Sequence, residues 1–395
     1  SFLRWAPASA RHAPAMLVAL LSVRLADESA GFLIPGSLEA FRSELHLSYA
    51  QAATILAAGA PGAIVGNGFA IAADYFSRRV IAAGGALWFA AAVAVFATST
   101  SYAVLVGASF VIGVAASAMV DASELALVDV SGDDLPRMLG ASNFLGSIGD
   151  LAGPVLIIVA AWLGFGWQAP FLLAALLMAA YGVWLARSPL PPPHRHAEQE
   201  APHRALASIV RDRRVWIFGV MAMLLSPLDE PFLAFLIADL QRTDGLSRTV
   251  ATAIALLTVV GAMLGALEQA RRAPPTPPLL RPALLVAGAV TSIAIAPTAL
   301  LVLPGALVFG FGIIGFWTAL QSRVLLLRPG QAGTVSAVVS TIEFAGFVIP
   351  ISIGAVVDAH GLRAGIACYA VVAVVLAVIV VVDRSLRGTS EVVAS

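Results

Sequence analysis

The sequence predicts an all-α polytopic membrane protein: twelve transmembrane helices in two pseudo-symmetric six-helix bundles. Three observations predict it. Apolar residues make up 59% of the 395 residues and charged residues only 12%, against roughly a quarter charged in a soluble domain. Apolar runs of about 20 residues, long enough to cross a bilayer, follow one another along nearly the whole chain. A polar, proline-rich, basic stretch, "RSPLPPPHRHAEQEAPHRALASIVRDRR" (187–214), splits those runs into six plus six.

In order, the spans fall at 14–38, 49–73, 79–98, 101–129, 137–163, 168–187, 213–240, 246–268, 279–300, 302–327, 331–357 and 361–384. The first follows Arg11 and His12 as a signal peptide would, but no small-residue cleavage site closes it. It continues into "FLIPGSLEAFR" and is expected to stay as a helix. The second ends in the short loop "ADYFSRR". The fifth carries "GDLAGP" and a polar stripe of Asn143, Ser147, Asp150 and Pro154. Trp162 and Trp167, around "GFG", read as interface anchors. The expected organisation is a bundle over 1–187, a cytoplasmic linker over 188–212 and a second bundle over 213–395.

Arginine placement sets the orientation. All 23 basic residues are arginine. An even number of spans puts both termini on one side, and that side collects 17 arginines against 4 on the other, with Arg24 and Arg323 inside spans. Both termini are therefore expected in the cytoplasm, with the chain in a bacterial inner (cytoplasmic) membrane.

The two halves echo each other. "LADESAGFLI" in the first span returns as "PLDEPFLAFLI" in the seventh. "DLAG" at Asp150 returns as "EFAG" at Glu343. "SE" at Ser123–Glu124 returns as "SR" at Ser322–Arg323, and "ADYFSRR" as "LEQARR". Four matches in one order indicate a duplicated six-helix unit.

The charges inside the spans are the candidate functional residues. Each costs about 2.5–3.5 kcal/mol at the centre of a membrane helix on insertion scales, so each needs a partner or a hydrated surface. At about 1.5 Å per residue, Asp27, Glu28, Asp150 and Glu343 lie near the midplane, with Asp229 and Glu230 slightly deeper. Arg24, Glu28, Gly31 and Pro35 share one helix face, and Arg24 precedes Asp27 and Glu28 by three and four residues, so it can pair with either. Asp121 and Glu124 in the fourth span and Arg323 in the tenth lie closer to the cytoplasm. Crowded carboxylates in a low dielectric hold protons. The expected substrate- and proton-binding set is Arg24, Asp27, Glu28, Asp121, Asn143, Asp150, Asp229, Glu230 and Glu343.

Two six-helix halves, a basic central loop and a short Asp-to-Arg-Arg loop between the second and third spans resemble the major facilitator superfamily. That family's loop motif is Gly-x3-Asp-x2-Gly-Arg-Arg; here "AIAADYFSRR" keeps Asp74, Arg78 and Arg79, with Ala70 and Ser77 in place of the glycines. The resemblance implies that these three latch the cytoplasmic side in one conformation. "GDLAGP" is similar to the family's antiporter motif, with Ile157 at its last glycine, and Ser109 stands where the family often has an arginine in its fourth helix. The resembled fold lines a central cavity with helices 1, 4, 7 and 10, and closes its cytoplasmic side with helices 4, 5, 10 and 11. The matching positions of Glu124 and Arg323 therefore imply a gating pair.

Other classes find no support in the sequence. There is no phosphate-binding loop for ATP-driven pumping, and the net charge of +0 gives no case for nucleic acid. Cys368 is the single cysteine, which excludes an intrachain disulfide and a cysteine metal cluster. The six histidines fall in loops or tails. No catalytic activity, cofactor or resident metal is expected. The expected protein is a monomeric secondary active transporter working by alternating access. It is proton-coupled and moves a small cationic or zwitterionic organic solute, with efflux by antiport favoured. The alternatives are a proton-coupled importer of an organic anion using Arg24 and Arg323, or a divalent metal transporter.

Overall fold

The computed structural model describes residues 14–31, scattered positions between 33 and 55, and residues 58–191, 202–246, 248–328 and 330–382. Among these residues the ordered elements are all helical. The first expected span appears as α1 (Pro14–Leu21) and α2 (Val23–Gly31), continuous in hydrogen bonding through Ser22; the second as α3 (Gly59–Ala73). Then come α4 (Arg78–Thr98), α5 (Tyr102–Ser131), α6 (Leu135–Trp162) and α7 (Gln168–Arg187). The linker contributes α8 (Pro202–Val210), where a plain polar loop was expected. The second half holds α9 (Arg213–Leu225), α10 (Glu230–Arg242), α11 (Arg248–Arg272), α12 (Leu280–Ala294), α13 (Ala299–Leu326), α14 (Ala332–Phe344), α15 (Val348–His360) and α16 (Leu362–Val382).

Seven described stretches are long and apolar enough to cross a membrane, and Gly59–Ala73 and Leu280–Ala294 are shorter apolar helices. Their exposed faces carry Leu176, Leu177, Leu284, Val371 and Val378, as lipid-facing surfaces do. At 30 residues, α5 is about 45 Å long at 1.5 Å per residue, which overshoots a hydrocarbon core of about 30 Å. It stops at Gly132, whose φ of 50° lies in the left-handed region that a side chain disfavours.

The chain forms two compact units. The first comprises Ser1–Gly132, Leu145–Ile209 and Leu325–Ala337; the second comprises Asp133–Phe144, Val210–Val324 and Val338–Ser395. In the first, α5 packs on α3 and α4, and α4 on α7. Backbones come together at glycines. A Cβ at Gly62 would sit 2.1 Å from the Phe110 carbonyl oxygen, and one at Gly113 would sit 2.0 Å from that of Gly59. The second unit repeats the device between α11 and α13: a Cβ at Gly261 would sit 2.1 Å from the Leu307 carbonyl oxygen, and one at Gly310 would sit 1.8 Å from that of Thr258. The sequence signal is the pair "GAIVG" (62–66) and "GAMLG" (261–265), small-xxx-small spacing for close helix approach.

A second repeated device ties helix ends at the arginine-poor side. In the first unit, Glu44 accepts from Trp167 Nε1 at 2.9 Å and Gln168 Nε2 at 2.8 Å. In the second, Arg363 holds Asp239 at 3.1 Å and Asp244 at 2.9 Å, and donates to the Ala296 carbonyl at 3.0 Å. The positions correspond: "RSELHLS" (42–48) against "RTDGLS" (242–247), and "GWQA" (166–169) against "GLRA" (361–364). Trp167 is thus not an interface anchor. It is 8% exposed, edge-on to Phe41, Phe96 and Phe171, with its N–H satisfied; Trp162 is the exposed one, at 83%.

Candidate transport site

The first unit gathers charge around Arg24 on α2. Its Nη2 lies 2.7 Å from Glu124 Oε1 on α5, its Nε donates to the same oxygen at 2.9 Å, and Glu28 lies 3.9 Å away. Asp27 and Asp121 stand within electrostatic reach of the same guanidinium. Four carboxyl groups therefore share one arginine. The local pairing expected for Arg24 is corrected in rank: its tight partner is Glu124, 100 residues away, because α2 packs on α5 and offers the planar fork a carboxylate at better range than the i+4 neighbour.

Glycines bring α6 to this charged turn. A Cβ at Gly149 would lie 2.8 Å from the Leu25 carbonyl oxygen and 2.9 Å from Glu28 Cβ, and one at Gly146 would lie 3.2 Å from Arg24 Cβ. Asp150, the next residue, is exposed. The polar stripe expected on this helix divides. Ser147 is 5% exposed, while Asn143 Nδ2 donates to Thr318 Oγ1 on α13 at 3.0 Å.

The second unit breaks two of its long segments. The seventh span is interrupted between α9 and α10 by a 3-10 turn, Ser226–Leu228, and by Asp229 at φ −90°, ψ −119°. Pro227 and Pro231 lack the N–H groups that a continuous helix would need there. The eleventh is interrupted between α14 and α15 by Ala345–Phe347. The two breaks adjoin: a Cβ at Gly346 would sit 2.4 Å from the Met223 carbonyl oxygen. Between them opens a cavity of about 270 Å³ that brings Asp229 and Glu343 together with Trp317. Trp317 was not singled out in the sequence; its one signal is a tryptophan beside an intramembrane polar residue, Thr318. The side chain of Glu230 lies outside the described residues.

Of the loop residues, Asp74 is 1% exposed and holds the first turn of α14. It accepts from Gly333 N at 2.9 Å, from Thr334 N at 2.8 Å and from Thr334 Oγ1 at 2.9 Å. These are amide groups that a helix leaves without internal partners. Gly333 is needed there, since its Cβ would fall 2.0 Å from the Ala70 carbonyl oxygen. Arg78 is buried and turned inward to Asp129 and to the carbonyls of Ala73 and Leu125, while Arg79 is exposed. Arg323 Nη2 donates to the Pro277 carbonyl in the loop between α11 and α12 at 3.1 Å, a partner that nothing in the sequence marks.

An all-helical membrane fold with broken segments and buried carboxylates defines a class, the polytopic transporters. The sequence profile of the Major Facilitator Superfamily matches residues 16–350, and the chain belongs to that family, whose members are transporters and not enzymes. Its fold is similar to the crystal structure of the transporter FucP in the outward conformation: TM-score 0.78, 17% identity, 92% of this chain and 97% of that one covered. A second structure, of the E. coli fucose:proton symporter FucP, gives 0.75, 15%, 92% and 97%. The human organic anion transporter MFSD10 (TETRAN) gives 0.70, 18%, 95% and 100%. Among curated proteins none matches.

Proposed function

We propose that the chain is a proton-coupled secondary transporter that moves a small cationic or zwitterionic organic solute by alternating access, with efflux by antiport favoured. The observation that carries this reading is the excess of carboxylates: Asp27, Glu28, Asp121 and Glu124 around Arg24 alone, and Asp229 with Glu343 at one cavity. Such a set relieves its repulsion by taking up protons or a cation. Similarity to a fucose:proton symporter agrees with proton coupling. The organic-anion alternative has less support, because Arg24 is already engaged by Glu124. The divalent-metal alternative has none from geometry, since the described residues contain no group of three or more potential metal ligands.

In this reading the bundles are 1–187 and 213–395, joined by a cytoplasmic linker in a bacterial inner membrane, and Asp74, Arg78, Arg79, Glu124 and Arg323 gate the path. Reconstituted in liposomes, the protein should show substrate-dependent proton flux, whose sign separates antiport from symport. Asp150→Asn or Glu343→Gln should abolish the flux in a folded protein. Unchanged flux in both variants would remove those residues from the coupling path.

A further inference from the structure

We infer that the cavity between the two helix breaks of the second unit is a site for a small organic ammonium, with Trp317 as the residue that selects for it. The inference rests on the cation reading above and names the substrate class within it.

The chemistry of the wall argues for this ligand. Asp229 and Glu343 supply negative charge, Trp317 supplies an indole ring, and Pro227 and Pro350 supply apolar ring surface. Among the described residues, no arginine or histidine lines the cavity. An ammonium with alkyl or aryl substituents satisfies all of these at once: its charge faces the carboxylates, and its polarised C–H groups lie on indole and proline. A cation over a tryptophan face is attracted by the ring quadrupole, most strongly when desolvated. A hard divalent ion would demand six or more oxygen ligands and gain nothing from indole or proline, and an anion would meet two carboxylates.

The backbone favours the same ligand. Glu343 sits one residue before the end of α14, and α9 ends at Leu225 beside Ser226 of the cavity wall. The terminal carbonyls of a helix carry partial negative charge, and half-helix ends of this kind attract cations in broken membrane segments. At about 270 Å³ the cavity lies just below the roughly 300–1,000 Å³ of small-molecule pockets, a size for a small organic ion.

The test is isothermal titration of the full chain in nanodiscs with phenyltrimethylammonium, with choline, with 3,3-dimethyl-1-butanol as the uncharged isostere of choline, and with a neutral hexose. Choline and phenyltrimethylammonium should bind at least about tenfold more tightly than the isostere and the hexose. Trp317→Leu should weaken phenyltrimethylammonium about five- to thirtyfold, Trp317→Phe less, and Asp229→Asn should weaken both cations while leaving the isostere unchanged. Equal binding of choline and its isostere, a comparison that needs only the unaltered protein, would overturn the inference. So would hexose binding as tight as choline binding, or a folded Trp317→Leu protein with unchanged affinity. Proton flux driven by an organic cation but indifferent to Trp317 would refute this site and keep the transporter reading. Trp317-dependent cation binding without any proton flux would do the reverse.

Discussion

Asp74 shows how one side chain can hold a helix that lies 260 residues away in the chain. Its carboxylate takes two amide protons and a hydroxyl from the first turn of α14. Removing it strands those donors at a site where Thr334 is fully buried, at a cost of about 1–3 kcal/mol per stranded group. Asp74→Ala should therefore lower thermal stability and speed thiol labelling of a cysteine placed at Ala332 in a Cys368→Ala background. Asp74→Asn, which keeps one acceptor oxygen, should fall between. Labelling no faster in Asp74→Ala than in its parent would show that this contact does not hold the turn closed. Arg24 and Glu124 make the complementary case. Glu124→Ala removes the tightest partner of a guanidinium that is 27% exposed, so the loss should be about 1–3 kcal/mol, below that of a fully buried pair. Because the remaining carboxylates can still reach Arg24, Glu124→Gln should keep the fold and change transport.

At the scale of helices, the glycine contacts separate two kinds of glycine that look alike in the sequence. Gly310→Ala would drive a Cβ to 1.8 Å from a backbone oxygen that cannot move without shifting α11, whereas a Cβ at Gly288 meets nothing within 4 Å. Gly310→Ala should lower the yield of folded protein and its unfolding temperature, and Gly288→Ala should leave both unchanged or slightly raised, by up to about 1 kcal/mol of helix propensity. Equal behaviour of the two would show that α11 and α13 can move apart freely. The Arg363 cluster joins the start of α16 to the end of α10. Asp239 is 3% exposed at its side chain while Arg363 is 33% exposed. Arg363→Met should cost about 1–2 kcal/mol after solvent screening is allowed for, measurable by thermal unfolding; an unchanged unfolding temperature would show that the tie contributes nothing.

The whole molecule belongs to a transporter family whose solved members can share its fold at 15–18% identity. Helix count and the doubling of the chain were legible because each rests on local composition: a 20-residue apolar run declares itself without knowledge of its neighbours. The charged positions were legible for the same reason, since a charge in such a run is costly wherever it points. Partners were not. Arg24 has two acids within four residues and bonds most tightly to a third, 100 residues on. Arg78, which the family resemblance assigns to a cytoplasmic latch with Asp74, is buried against Asp129. Trp317 has only the weak local signal of its polar neighbour Thr318, and the ties at Glu44 and Arg363 show in the sequence only as the repeat of "RSE" in "RTD", which names no partner. The sequence by itself determined the span pattern, the duplication, the excess of intramembrane acid and the family, because these follow from which residues lipid will tolerate. Only the tertiary structure decided which acids share an arginine, where the helices break, and that the breaks at Ser226–Asp229 and Ala345–Phe347 meet at one cavity beside Trp317. Those outcomes depend on how closely helix backbones approach, which is fixed by contacts between residues far apart in the chain.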